Sequence, residues 1–132
     1  MTISAGISEY VSKLEAAPSD VCQALNQLIT SALPEANGKV WHGHPVWFLG
    51  DNPVVGYSLK KSGIQVLFWS GQSFETPGLK ALGQFKAASI DVPSSESLAQ
   101  LPFDAWLSEA KVVQWDYANL PKKRTLEKLT DF

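Results

Sequence analysis

The chain contains a single cysteine, so no intramolecular disulfide can staple it. No apolar run approaches the roughly 18 residues of a membrane-spanning helix. The start, MTISAGISEYV, lacks the basic region and continuous apolar stretch of a secretory signal. These absences predict a cytoplasmic protein without a membrane partner. A formal net charge of -2 supplies no broad positive field, which argues against a nucleic-acid partner. There is no glycine-rich phosphate loop with its lysine and no Gly-x-Ser-x-Gly elbow around Ser70, so two common catalytic signatures are missing. No repeat or low-complexity tract points to a solenoid or an array.

What is present is ordinary in size and unusual in aromatic content. The 132 residues are 45% hydrophobic and 18% charged, which suits one globular domain spanning 1–132. Residues 8–16 fit a short docking helix with Tyr10, Val11 and Leu14 on one side. Ser19 is a candidate cap for a helix over 19–33, where Val21, Ala24, Leu25, Leu28, Ile29, Ala32 and Leu33 recur at three- and four-residue intervals. Pro34 ends it. From residue 39 the period changes: VW at 40–41, VWFL at 46–49, VVGYSL at 54–59 and IQVLFW at 64–69 are separated by short turn signals. Connections this short join antiparallel strands, because parallel ones need long crossovers. Residues 70–83 read as an irregular excursion with one helical turn around 79–82, and Phe85 to Val92 as a returning strand. Pro102 opens a last helix over 102–111 with Phe103, Trp106, Leu107 and Ala110 on one face. The fold class is therefore α+β, a predominantly antiparallel β-sheet covered by N-terminal and C-terminal helices. Residues 121–132 are expected to be a peripheral C-terminal segment.

The densest chemistry lies in VWHGHPVWFLG, residues 40–50. If a strand ran through Gly43, His42 and His44 would share a face, since alternate side chains point the same way. That pair suits either a metal-free ligand pocket or ordinary turn packing. A metal would need further ligands, and nothing in the spacing brings Cys22, Glu35 or Asp51 to the histidines, so no metal or cofactor is expected. Cys22 sits near a helix start, where a thiol pKa can fall, yet a buried thiol serves equally as a small apolar group. Nucleophilic use would require a Cys–His contact. The five tryptophans either line a flat-ligand pocket or close gaps between sheet and helices. Lys86 is expected to approach the Trp41–His44 face and orient an anionic group. The candidate ligand-binding set is Glu35, Trp41, His42, His44, Trp47, Trp69 and Lys86. It points to a non-enzymatic module for a small molecule or a protein. Metal handling, motivated by the two closely spaced histidines, and an enzyme of unidentified reaction are the competing readings, and the oligomeric state stays open.

Three segments carry a resemblance: LITSALPEANGKVWHGHPVWFLG, VVGYSLKKSGIQVLFWSGQ and GLKALGQFKAASIDV. Together they resemble the YdhG-like (DUF1801) family of small proteins over roughly residues 8–114, most strongly over 28–92. The resemblance implies an antiparallel sheet packed against helices. The family's Pro-Glu and Trp-x-Gly-x-Pro segments map onto Pro34-Glu35 and Trp41-His42-Gly43-His44-Pro45. Its later Gly-Lys-basic segment is altered here to Gly83-Gln84-Phe85-Lys86-Ala87, leaving Lys86 as the one position for a cationic role. Some relatives are described as iron-chaperone-like or frataxin-like, so the resemblance implies that the metal reading of the two histidines extends to a metal or iron chaperone.

Overall fold

A computed structural model describes residues 5–61, 63–81, 86–115 and 117. The expected peripheral segment at 121–132 and the start of the returning strand at Phe85 lie outside them. The chain order is α1 (Ala5–Ser12), α2 (Ala16–Ala32), β1 (Asn37–Trp41), β2 (His44–Leu49), β3 (Asn52–Lys60), β4 (Gly63–Phe68), a short 3-10 turn at Gly71–Ser73, β5 (Lys80–Ala81), β6 (Ala88–Val92), α3 (Ser95–Ala99) and α4 (Phe103–Val112). The strands form one sheet in the order β1-β2-β3-β4-β6-β5, with every neighbouring pair antiparallel. This is the expected α+β class, an antiparallel sheet flanked by N- and C-terminal helices.

The second helix begins earlier than its sequence suggested. Glu15, not Ser19, is the residue before the helix, and the Ser19 N–H donates to the Glu15 carbonyl at 2.9 Å as part of the first turn. Pro18 is tolerated there because the first-turn N–H groups have no intrahelical acceptor to lose. Val21, Cys22, Leu25, Asn26 and Ile29 turn inward, while Leu28 is only half-buried. The last helix differs by one residue: Pro102 stands just before α4 as its N-cap. The excursion at 70–79 carries its 3-10 turn at the beginning, not a helical turn near Leu79. Ser94 caps α3 as the PSSES stretch suggested, its hydroxyl accepting from the Ser97 N–H at 3.2 Å.

All the described helices pack on one face of the sheet. Ile7 and Val11 of α1, Leu25 and Ile29 of α2, and Phe103, Trp106 and Leu107 of α4 meet Trp47, Val55, Tyr57, Ile64, Val66 and Phe68. Polar groups in this layer are paired, as burial demands. The Tyr57 hydroxyl donates to Asn26 Oδ1 at 2.6 Å. At the far end of α4, Glu109 accepts from the Glu75 and Thr76 N–H groups at 2.7 and 3.2 Å, and Trp106 Nε1 donates to the Thr76 carbonyl at 3.2 Å. These bonds strap the 70–79 excursion to the helix. Buried Asn52 holds the chain after α4: its amide donates to Gln114 Oε1 and the Trp115 carbonyl and accepts from the Tyr117 N–H, at 3.0, 2.9 and 2.9 Å.

Candidate functional site: an aromatic platform on the open sheet face

The other face of the sheet carries no helix among the described residues. Its layout follows from the β1–β2 hairpin. His42 and Gly43 have φ of 54° and 85°, and Trp41 pairs directly with His44. Positive φ at both central residues is the type I′ hairpin turn, whose twist matches that of the flanking strands. Glycine takes the second position at no steric cost, and histidine is among the residues enriched in this region. The strand therefore does not run through Gly43. His42 sits in the turn, and His44 and Pro45 open β2.

Once the turn is fixed, alternation assigns the faces. Lys39 and Trp41 of β1 lie on the open face with His44, Val46 and Phe48 of β2, and Trp47 goes to the opposite side. One rung across the sheet reads Lys39, Val46, Gly56, Leu67, Ser89 and Lys80. Gly56 makes the platform possible. A Cβ there would stand 3.3 Å from Cζ3 of Trp69 and 2.7 Å from the Pro45 carbonyl oxygen. Its bare backbone lets the Trp69 ring lean over the strand toward Trp41. The Trp41 ring centre is 6.3 Å from Trp69, 5.4 Å from Phe48 and 4.2 Å from His42. Beneath this group Val46 is fully buried, and Lys39 Nζ lies 4.8 Å from the Phe48 ring centre. Trp41 itself stays 36% exposed.

His44 is the chemically distinctive member. Its Nδ1 is buried without a hydrogen-bond partner among the described residues. Burial lowers its pKa below the ordinary imidazole value; the Pro45 backbone opposes this, and the Lys60 and His42 charges add to it. The neutral ring is therefore favoured more than in a free imidazole, and in that form Nδ1 offers either a lone pair or an N–H according to tautomer.

The seven residues singled out from the sequence separate into groups. Trp41, His42, His44 and Trp69 come together. Trp47 is 1% exposed on the helix side, 5.7 Å ring to ring from Tyr57, so it serves the core. Glu35 is exposed in the turn after α2. Lys86 lies beside β6, four strand spacings from β1, or roughly 19 Å across the sheet. Its Nζ stands 4.8 Å from the Trp115 ring centre and its N–H donates to the Tyr117 hydroxyl at 3.0 Å. The expected approach of Lys86 to the histidines is thus not seen. Phe48, Val46 and Gly56 were missed, although a turn set at His42-Gly43 would have placed Phe48 and Val46 on the Trp41 face by alternation.

Other sites carry less chemistry. Cys22 is fully buried in α2, and burial pushes its thiol up to about 12, opposed by a hydrogen bond with Tyr57, so the thiolate is strongly disfavoured. No three His, Cys, Asp or Glu side chains converge on a metal position among the described residues. A cavity of about 700 Å³ is an open groove on the helix layer lined by Leu28, Ala32, Leu98, Leu101, Phe103 and Asp104 among others. It contains none of the sequence-selected residues. No helix among the described residues is long and apolar enough to cross a membrane. Compared with known proteins, the chain matches no family model, no curated protein and no solved structure.

Proposed function

We propose that the protein is a non-enzymatic, cytoplasmic binding module that takes a planar small molecule against the open aromatic face. One observation carries this reading: Trp41 is 36% exposed at the centre of a ring cluster, on a sheet face with no described helix over it. Trp41 and Trp69 supply flat apolar contact area and His42 an exposed polar group at the turn, with the half-buried His44 ring opening β2 beside it. A few placed polar groups in an apolar wall are the usual composition of a small-molecule site. Cys22, the one thiol, lies in α2 on the helix side with a raised pKa, so it does not serve this face as a nucleophile. Membership of the YdhG-like family belongs to the same proposal, supported by Pro34-Glu35 and the Trp41–Pro45 segment.

The test is a chemical-shift titration with naphthoate and its neutral twin naphthamide. The expected result is perturbation centred on Trp41, His42, His44 and Trp69 by at least one of them, lost in Trp41→Ala and kept in Leu28→Ala, whose side chain lines the helix-side groove. No perturbation by either probe, or shifts confined to that groove, would sink the reading.

A further inference from the structure

At the β1 edge of the sheet no further strand pairs among the described residues, and the backbone there leads to an inference that does not rest on ligand binding at the platform. In a two-residue hairpin the closing pair, here Trp41 and His44, exchanges both backbone bonds, and bonded and non-bonded pairs then alternate along the ladder. Asn37, Lys39 and Trp41 thus bond inward to β2. Gly38 and Val40 face away, and opposite Val40 stands Pro45, a residue with no N–H to offer. The backbone N–H and C=O of Gly38 and Val40 point off the edge and have no hydrogen-bond partner among the described residues.

Protein edges are normally blunted by proline, a bulge, a covering element or a charge across the edge. β1 has no proline, and the register irregularity lies between β2 and β3. Helix α1 reaches Val40 only from the helix side, where the Gly6 Cβ position is 3.3 Å from Val40 Cγ2. The single charge, Lys39, extends over Phe48 on the open face. Two of the exposed large hydrophobic residues, Val40 at 39% and Trp41 at 36%, sit on this strand.

We propose that β1 pairs with β1 of a second copy, antiparallel about a two-fold axis through Lys39, joining two sheets edge to edge. The strand is self-complementary in that register. Gly38 lies opposite Val40 of the second copy, so each outward N–H meets an outward C=O, and the bare glycine leaves room beside the valine. Asn37 lies opposite Trp41, which gives the indole a polar neighbour rather than a clash of two rings. The two lysines at the axis repel each other, so the dimer tightens as salt rises, opposite to an association driven by charge attraction.

Sedimentation across the micromolar to millimolar range, with amide hydrogen exchange on the same samples, tests this. The expected result is a monomer–dimer equilibrium favoured by salt, with Gly38 and Val40 amides gaining at least tenfold protection as concentration rises. Val40→Pro removes an outward N–H and leaves the inward ladder intact, so it should yield a folded monomer. Leu59→Lys changes an exposed hydrophobic residue on another strand and should leave dimerisation unchanged. Should Val40→Pro fail to fold, Val40→Lys puts a like charge on each copy's edge and should likewise give a monomer. A monomer at every concentration, exchange at the two amides that ignores concentration, or a dimer that survives Val40→Lys overturns the proposal.

Discussion

The two faces of the sheet use the same kinds of residue to opposite ends. On the helix side Trp47, Tyr57, Phe68 and Trp106 are almost fully buried, and the Tyr57 hydroxyl and Trp106 N–H each have a protein partner. On the open side Trp41, Phe48 and Trp69 cover Val46 with no helix above them among the described residues, and their cluster includes a histidine whose buried Nδ1 has no partner among those residues. The first arrangement is what stability alone asks for, since buried polar groups cost free energy unless bonded. The second retains exposed aromatic area and an unsatisfied nitrogen. That difference is what separates a core from a candidate site, and aromatic content by itself does not.

The sharpest way to break the comparison is to truncate one tryptophan on each side. Trp47→Ala should cost about 3–5 kcal/mol, because a large buried ring leaves a cavity next to Tyr57. Trp41→Ala, at a ring about a third in solvent, should cost about 1 kcal/mol or less. Urea denaturation measures both. Equal losses would mean that the platform is a second core and would remove the argument for a site there.

Within the helix layer the same contrast appears one residue apart. Leu25 is fully buried and Leu28 only half-buried against the open groove, although both fit the helical stripe. Leu25→Ala should cost about 2–5 kcal/mol. Leu28→Ala should cost about 1 kcal/mol, less than a fully buried leucine would, because its removal widens a groove that solvent already reaches. A Leu28 loss as large as that of Leu25 would show that something closes the groove in solution.

Gly56→Ala probes the open face from below. The added methyl group would press on the Pro45 carbonyl at 2.7 Å and on the Trp69 ring at 3.3 Å. Overpacking of this kind costs about 1–3 kcal/mol, and here it should also swing Trp69 away from Trp41. Near-ultraviolet circular dichroism would register the lost ring coupling. A stability loss with an unchanged aromatic spectrum would mean that the backbone yields and the platform does not depend on this glycine.

How much of this was readable in advance depended on whether a feature was local. The period change at residue 39, the apolar stripe of α2 and the face shared by Phe103, Trp106, Leu107 and Ala110 are short-range patterns, and the observed sheet and helices follow them. Ser19 misled because serine is a preferred N-cap, yet here it lies inside the first turn of a helix that begins at Ala16. His42 hid the hairpin turn because the common turn pair is Asn-Gly or Asp-Gly, and without a fixed turn nothing local showed that Trp47 faces away from Trp41. Lys86 was misplaced for a longer-range reason. The order β4-β6-β5 sets its segment at the far side of the sheet from β1, and no local pattern encodes strand order.

The smallest expected effect is the pH response of His44, and it tests whether its ring is the polar element of the platform. Burial lowers the folded-state pKa beneath the unfolded value of about 6.5. Between those two values the unfolded chain binds more protons at this position than the native chain. Stability from the neutral ring is therefore fully present above about pH 6.5, and it is lost as pH falls through the folded-state pKa. His44→Gln should flatten the stability profile in that interval while leaving the plateau above it nearly unchanged. A ring titration of His44 by NMR gives the direct check. A midpoint at or above about 6.5 would mean that the charged imidazole is as well accommodated as the neutral one. The nitrogen would then reach solvent and cease to distinguish the open face from an ordinary packed surface.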